Sequence, residues 1–133
     1  MTYLLDTNTC IRYLNGTSVS VRAQLAKIKE TEVALCSVVK AELYFGVFKS
    51  ARPKENMEKL RQFAARFISV PFDDAAGERY GEIRQVMERK GKLIGPNDLM
   101  IASIALSHDM ELVTHNTDEF LRVPGLRVVD WEI

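Results

Sequence analysis

The sequence predicts an α/β fold built on a mostly parallel sheet. Short apolar runs alternate with longer amphipathic stretches, as strands and helices do in such a sheet. The composition is 47% hydrophobic and 27% charged, as in ordinary globular proteins and unlike disordered ones. The 133 residues contain no linker rich in Gly, Pro or Ser, so we expect one domain over residues 1–133.

Two strands and three helices are predicted in the first half of the chain. The run Tyr3-Leu4-Leu5 is short and apolar, and Asn15-Gly16 stops the helix that follows it. Ser37 is a residue type that caps helices well, so a helix is expected to start there. The predicted elements are a strand at Tyr3–Leu5, helices at Thr9–Leu14 and Val19–Lys29, a strand at Val33–Cys36, and a helix from Ser37 to Phe48.

Three helices and three strands are predicted in the second half. Pro53 suits the first turn of a helix, and Gly91 closes the helix that begins at Asp74. The helix that Asn97 opens is almost wholly apolar over Leu99–Leu106, so it should be buried. The predicted elements are helices from Pro53, over Asp74–Lys90 and from Asn97, and strands at Ile68–Val70, Leu112–Thr114 and Leu126–Val129.

Charge is balanced in sum but not along the chain. Eighteen basic and eighteen acidic residues give a formal net charge of zero, which argues against binding nucleic acid through bulk positive charge. Residues 1–48 carry five basic and four acidic groups, residues 49–92 eleven and seven, and residues 93–133 two and seven, giving +1, +4 and −5. A basic middle and an acidic end suggest two functional surfaces.

Cysteine content and hydropathy indicate a cytosolic protein. Cys10 and Cys36 are too few for a disulfide framework and lack CxxC spacing, so we expect small buried side chains in a reducing compartment. The N-terminus lacks the basic and apolar regions of a signal peptide, and no run of eighteen apolar residues could cross a membrane.

Four carboxylates lie at positions that are unusual for a charge. Asp6 ends the first strand, Glu42 interrupts an apolar helix, Asp98 begins another, and Glu119 follows the fourth strand. Each also has a purely structural explanation. Asp6 could cap a helix, Asp98 could occupy a favourable first turn, Glu42 could be half-exposed, and Asn116 with Glu119 could form a capping box.

Together these four acids indicate a metal site. None has an evident basic partner nearby in sequence, so they would repel one another unless a cation neutralised them. Oxygen ligands favour Mg²⁺ or Mn²⁺ over zinc, and His108 and His115 are not at zinc-ligand spacing. Such an ion polarises a phosphate and activates water, so the chemistry indicated is phosphodiester hydrolysis.

Four sequence blocks resemble those of PIN-domain ribonucleases. In order they are Leu4-Leu5-Asp6-Thr7-Asn8, Ala41-Glu42-Leu43, Ile94-Gly95-Pro96-Asn97-Asp98-x-x-Ile101-Ala102 and Val113-Thr114-His115-Asn116-Thr117-x-Glu119-Phe120. Their order and spacing, with the ending Asp130-Trp131-Glu132, are similar to the VapC toxins of bacterial toxin–antitoxin pairs from Met1 to Trp131. The resemblance implies a Rossmann-like three-layer PIN domain, with a parallel sheet of about five strands flanked by helices.

The resemblance also implies a Mg²⁺-dependent endoribonuclease, with Mn²⁺ as an alternative ion. The acids expected to bind the metal and to act in catalysis are Asp6, Glu42, Asp98 and Glu119. Many PIN domains have an Asp where this chain has Asn116, so the fourth role passes to Glu119, with Asp118 as the weaker candidate.

Three polar residues are expected to support these acids. Asn8 and Thr114 are candidate hydrogen-bond donors that would fix the carboxylates, and Asn116 is a neutral hydrogen-bonding neighbour. Turn and strand-end residues also bond their own backbone, which is the alternative explanation for Asn8 and Thr114.

A basic cluster just before Asp98 is a candidate RNA contact. Its members are Arg84, Arg89, Lys90 and Lys92, although such runs are usually solvated helix faces. Resemblance alone suggests that the RNA is a transfer RNA, with the anticodon loop of the initiator favoured.

The resemblance favours a homodimer, a VapB-like antitoxin partner and a toxin–antitoxin hetero-oligomer. The helix segment Leu43–Phe48 is apolar nearly all round, so it is either buried in the core or presents one face to another chain. Rival functions are a catalytically inactive PIN-fold binding module, a receiver domain, or a phosphatase with Asp6 as nucleophile. The phosphatase normally needs a second Asp at position 8, which is Asn8, and the receiver needs a Lys near the chain end, which is missing.

Overall fold

The computed structural model describes residues 2–133, and its five strands form one parallel sheet in the order β3-β2-β1-β4-β5. Every neighbouring pair of strands is parallel, which confirms the predicted fold class. The strands are β1 (Tyr3–Leu5), β2 (Val33–Cys36), β3 (Ile68–Val70), β4 (Glu111–Val113) and β5 (Val128–Val129).

Seven α-helices and one short 3₁₀ turn at Glu30–Glu32 connect these strands within the described residues 2–133. The helices are α1 (Thr7–Asn15), α2 (Val19–Lys27), α3 (Ser37–Phe48), α4 (Pro53–Ala64), α5 (Asp74–Arg89), α6 (Pro96–Ser107) and α7 (Thr117–Phe120). None of them is long and apolar enough to span a membrane.

The strand order places a topological switch between β1 and β4. From β1 the chain adds β2 and then β3 on one side, whereas β4 and β5 lie on the other side. Leu5 pairs with Val113, and the backbone N–H of Asp6 donates to the Val113 carbonyl at 3.1 Å. Asp6 and Thr114 therefore emerge side by side at the carboxyl edge, where open α/β sheets bind their ligands.

The core lies around the central strands and helix α6. All four residues of β2 are buried, as are Leu4, Leu5, Leu112 and Val113 of the neighbouring strands. Helix α6 packs against α3, α5 and β4, and five consecutive residues from Ile101 to Ala105 are buried. Its burial confirms the prediction from its apolar sequence and fixes Asp98 in its first turn.

Both predicted ends of α3 are confirmed, but the predicted capping role of Ser37 is wrong. Ser37 is the first helical residue instead of the cap, and the residue in the cap position is Cys36, whose side chain makes no capping bond. The Ser37 hydroxyl instead accepts a hydrogen bond from the backbone N–H of Phe72 at 3.1 Å, which ties α3 to the segment after β3. A tertiary contact has replaced the local cap.

Other boundaries differ by one or two residues. Helix α1 begins at Thr7 instead of Thr9, because Asp6 caps it, and Gly16 ends it in the left-handed conformation at φ 70°. Helix α2 ends at Lys27 instead of Lys29 because Ile28 is extended. Helix α5 ends at Arg89, α6 begins at Pro96, β4 covers Glu111–Val113, and β5 is only Val128–Val129. Both cysteines are buried free thiols, as expected.

The sheet centre should contribute far more to stability than the surface does. Leu4 is 0% exposed in β1 and Leu121 is 64% exposed after α7, so the same substitution samples both environments. We expect Leu4→Ala to lower the free energy of unfolding by about 3 kcal/mol, because it leaves a cavity. The matched change Leu121→Ala should alter it by less than about 0.5 kcal/mol. Urea unfolding checks this, and equal losses would contradict the assignment of the core.

Candidate metal centre

Asp6 is a buried carboxylate that accepts hydrogen bonds from two neighbouring residues. It caps α1, because Oδ1 accepts a hydrogen bond from the backbone N–H of Thr9 at 2.8 Å. The side chain of Thr114 on the adjacent strand also hydrogen-bonds it. Burial raises the pKa of Asp6 above its usual value, while the bonds from Thr114 and Thr9 act in the opposite direction. The predicted capping role is therefore confirmed, and the predicted site role of Asp6 stays a prediction.

Asp98 and Glu119 face each other across the switch point. Burial is the largest cause that raises the pKa of Asp98 to about 7, followed by the negative charge of Glu119 and a hydrogen bond between the two groups. The charges of Glu42 and Asp6 act in the same direction. Asp98 therefore lies close enough to the other three predicted acids to experience their charges.

Glu42 is brought to this edge by helix α3. Its side chain is half-buried, and the hydroxyl of Thr7 donates to Oε1 at 2.6 Å. Since Thr7 directly follows Asp6, this bond couples the first two acids through one turn of α1. Glu42 is therefore half-exposed, as its structural explanation requires. That explanation does not account for the other carboxylates that lie near it.

The donor set suits a hydrated divalent ion. Within residues 2–133, the group of three whose ligand atoms lie within 4.8 Å of one another is His115, Asp130 and Glu132, so the four acids are spread more widely. Mg²⁺ keeps several of its own waters and is bound through few carboxylates, so it fits such a spread set. Zinc in a closed site would need nitrogen or sulfur ligands close together.

Comparison with known proteins identifies the family of this chain. The PIN-domain family model matches residues 3–126. Ribonuclease VapC2 of Rickettsia felis is 40% identical over 133 residues, which are 99% of each chain. The chain belongs to the PIN-domain family. The tRNA(fMet)-specific endonuclease VapC of Shigella flexneri is 38% identical over 129 residues, 97% of each chain.

The fold comparison agrees. A crystal structure of VapBC2 from Rickettsia felis bound to a promoter DNA fragment contains a chain that matches with a TM-score of 0.92 and 39% identity. The alignment covers 98% of this chain and 99% of that one. The recognition of a PIN domain from four sequence blocks is therefore confirmed.

In this PIN domain a hydrogen bond from Asn116 orients Glu119, the predicted fourth acid. The capping box is absent, because the Asn116 side chain makes no capping bond. Instead, Asn116 Nδ2 donates to Glu119 Oε2, and the Asn116 backbone N–H donates to Thr114 Oγ1 at 3.0 Å. Asp118 is exposed on the same short helix. The geometry therefore favours Glu119 over Asp118.

Thr7 and Lys49 lie near the site and were not predicted from the sequence. Thr7, and not the exposed Asn8, bonds Glu42, although both come from the Asp-Thr-Asn block. Asn8 lines an open groove together with Glu42 and Lys49. Proximity of α1 and α3 creates this groove, and no local pattern reveals it.

The predicted RNA-contacting residues lie at the end of α5 and in the loop to α6. Arg84 is engaged along its own helix, with Nε 3.0 Å from Glu88 Oε1 and Nη1 3.1 Å from the Tyr80 hydroxyl. Arg89, Lys90 and Lys92 are exposed, and the loop leads directly to Asp98. Their contact with RNA stays a prediction.

The stability of the metal-free protein should depend on the protonation of Asp98. Since its pKa is about 7 in the fold against 3.8 ordinarily, the folded protein holds a proton that the unfolded chain releases. The free energy of unfolding should therefore fall as the pH rises from about 4 through about 7. Asp98→Asn removes this titration, so its Tm in EDTA should fall less over this range. Parallel Tm profiles for the two proteins would contradict the assignment.

Proposed function

We propose that this protein is a Mg²⁺-dependent endoribonuclease, the toxin of a type II toxin–antitoxin pair. It is a hydrolase that breaks phosphodiester bonds in RNA. The observation that carries the proposal is the convergence of four carboxylates at the sheet's switch point, where the pKa of Asp98 rises to about 7 through burial and the charges of the other three. Family membership supports it, since the relatives are named ribonucleases.

Asp6 and Asp98 are the principal metal ligands in this proposal, with Glu42 and Glu119 completing the set. When bound, Mg²⁺ supplies positive charge that offsets the charge building on the phosphate and makes water a better nucleophile. Hard oxygen donors suit both Mg²⁺ and Mn²⁺, so Mg²⁺ is the proposed working ion and Mn²⁺ is the alternative.

The protein's own residues hold and orient the reacting groups. Thr7 fixes one oxygen of Glu42, which leaves the other free to accept a proton from the attacking water. Asn116 orients Glu119 in the same way from the opposite side of the site. Water attacks the phosphorus in line with the bond that breaks, and the leaving oxygen departs on the far side.

The substrate is a transfer RNA, with the anticodon loop of the initiator favoured, so that cleavage inhibits translation. Support comes from the Shigella flexneri relative, which is named a tRNA(fMet)-specific endonuclease and is 38% identical over 97% of both chains. A substrate of this kind places the protein in the cytoplasm.

The partner is a VapB-like antitoxin, and the toxin is a homodimer within a hetero-oligomer. VapBC complexes among the similar structures support the antitoxin partner, and the homodimer rests on the resemblance to VapC toxins. Helix α3 is buried on one side only: Leu43 and Val47 are buried, while Phe45 and Phe48 are 66% and 71% exposed. The exposed aromatic face is suited to another chain.

Cleavage should require both the metal and Asp6. Purified protein free of antitoxin, incubated with total RNA in Mg²⁺, should give discrete fragments. EDTA should abolish them, and Asp6→Asn should reduce the rate by more than roughly 100-fold, because a metal ligand is lost. Gel analysis of 5′-labelled transfer RNA gives the rate. Equal cleavage by wild type and variant would sink the proposal.

Glu119 and its neighbour Asp118 make a matched pair for the fourth acid. Glu119→Gln removes the charge that faces Asp98, whereas Asp118→Asn removes one from an exposed position on the same helix. We expect Glu119→Gln to lower kcat by at least about tenfold and Asp118→Asn by less than about twofold. The reverse ranking would transfer the role to Asp118.

A further inference from the structure

Four charged residues form a second network beside the acidic site. Arg12 Nε lies 2.8 Å from Glu132 Oε1, an ion pair whose angle falls short of a hydrogen bond. His115 Nδ1 lies 2.9 Å from Asp130 Oδ2 and 3.9 Å from Glu132 Oε2. The Glu132 backbone N–H closes the network by donating to Asp130 Oδ1 at 2.8 Å.

This network connects two of the segments that carry site residues. Arg12 belongs to α1, whose cap is Asp6, and His115 lies between Thr114, which bonds Asp6, and Asn116, which bonds Glu119. Both are bound by the C-terminal segment Asp130–Glu132, which follows β5. The segment therefore bridges α1 and the loop from β4 to α7 at the sheet's carboxyl edge.

The C-terminal segment is itself firmly anchored. Trp131 is 5% exposed, and its ring packs against Tyr3 of the central strand with centroids 5.4 Å apart. The side chains of Asp130 and Glu132 are also mostly buried, at 7% and 15% exposed. A buried aromatic between two mostly buried acids gives the bridge a fixed position against β1.

Both carboxylates of this network are engaged by neighbouring side chains. Arg12 is paired with Glu132, and the hydrogen bond between His115 and Asp130, with the charges of Glu132 and Asp130, raises the pKa of His115. A divalent ion bound by His115, Asp130 and Glu132 would have to break the contacts that Arg12 and His115 already make, so we interpret the cluster as a clamp.

We propose that Arg12, His115, Asp130 and Glu132 are positioning residues that hold α1 and the loop from β4 to α7 at the spacing that the metal site needs. The inference rests on the proposed metal-dependent function. Its physical reason is repulsion: Asp6, Asp98 and Glu119 are like charges on separate segments, so these segments move apart unless they are restrained. Residues that orient metal ligands commonly change metal affinity 10- to 100-fold when removed, roughly.

The affinity for Mn²⁺ tests this clamp independently of RNA cleavage. Free Mn²⁺ is measured by electron paramagnetic resonance during titration, and Tm is measured on the same samples. Arg12→Ala and His115→Ala should each raise the Kd for Mn²⁺ by roughly tenfold. The control is Arg127→Ala, because Arg127 also pairs with an acid, Asp109, at 2.9 Å and is 43% exposed against 40% for Arg12. Because Asp109 is 92% exposed and Glu132 only 15%, Arg127→Ala should lower Tm no more than Arg12→Ala does, and it should leave the Kd unchanged.

A conservative change at His115 separates positioning from charge. His115→Asn retains a side-chain N–H that donates to Asp130, so its Kd should stay within about threefold of wild type. Equal weakening in His115→Asn and His115→Ala would overturn the clamp, since charge and not the hydrogen bond would then matter. A second equivalent of Mn²⁺ that disappears in Asp130→Ala would overturn it too, because the cluster would be a metal site.

The outcomes distinguish this inference from the function on which it rests. If the wild type binds no Mn²⁺, the proposed metal-dependent function is overturned and the clamp with it. If the wild type binds Mn²⁺ and cleaves RNA while Arg12→Ala matches Arg127→Ala in its Kd, the clamp alone is overturned.

Discussion

Carboxylates repel one another at the carboxyl edge of the sheet, and the rest of the site must hold them in place against this repulsion. Burial, followed by the charges of the three other acids, raises the pKa of Asp98 to about 7, so its ionisation is unfavourable in the metal-free fold. Hydrogen bonds from threonine and asparagine side chains hold these acids in place. The net charge of zero therefore conceals an unequal distribution. If the four site acids are neutralised by metal, fourteen acids remain against eighteen bases, and the rest of the protein is +4.

The fold could be predicted because its strands are apolar and its connections are regular. Local patterns placed β1, β2 and β3 correctly, and the parallel order followed from the alternation with helices. Ser37 marks the limit of that approach. Its hydroxyl bonds the backbone of Phe72, which lies 35 residues away, so a capping rule based on neighbours could not account for it. The short β5 depends on pairing with β4 more than on its own sequence.

The candidate site was only partly accessible to sequence reasoning. Asp6 and Asp98 stand out, because one ends a strand and the other begins an apolar helix, and both lie at the switch point that the strand order creates. The hydrogen-bond donors to these acids were harder to predict. Thr7 and Asn8 are adjacent and equally polar, and only the turn of α1 decides which of them reaches Glu42. The network of Arg12, His115 and Glu132 joins residues over a hundred positions apart, and no local pattern links them.

The strand order also has a consequence for folding during synthesis on the ribosome. Helix α1 and Asp6 are synthesised early, but β1 finds its second partner, β4, only after residue 113 has been made. Asp98 and Glu119 fall in the last third of the chain, and the segment Asp130–Glu132 closes the fold at its very end. The order of these segments along the chain thus determines when the acidic site can form. A growing polypeptide cannot assemble the acidic site before Glu119 has been made, so a nuclease of the proposed kind would be inactive during most of its own synthesis.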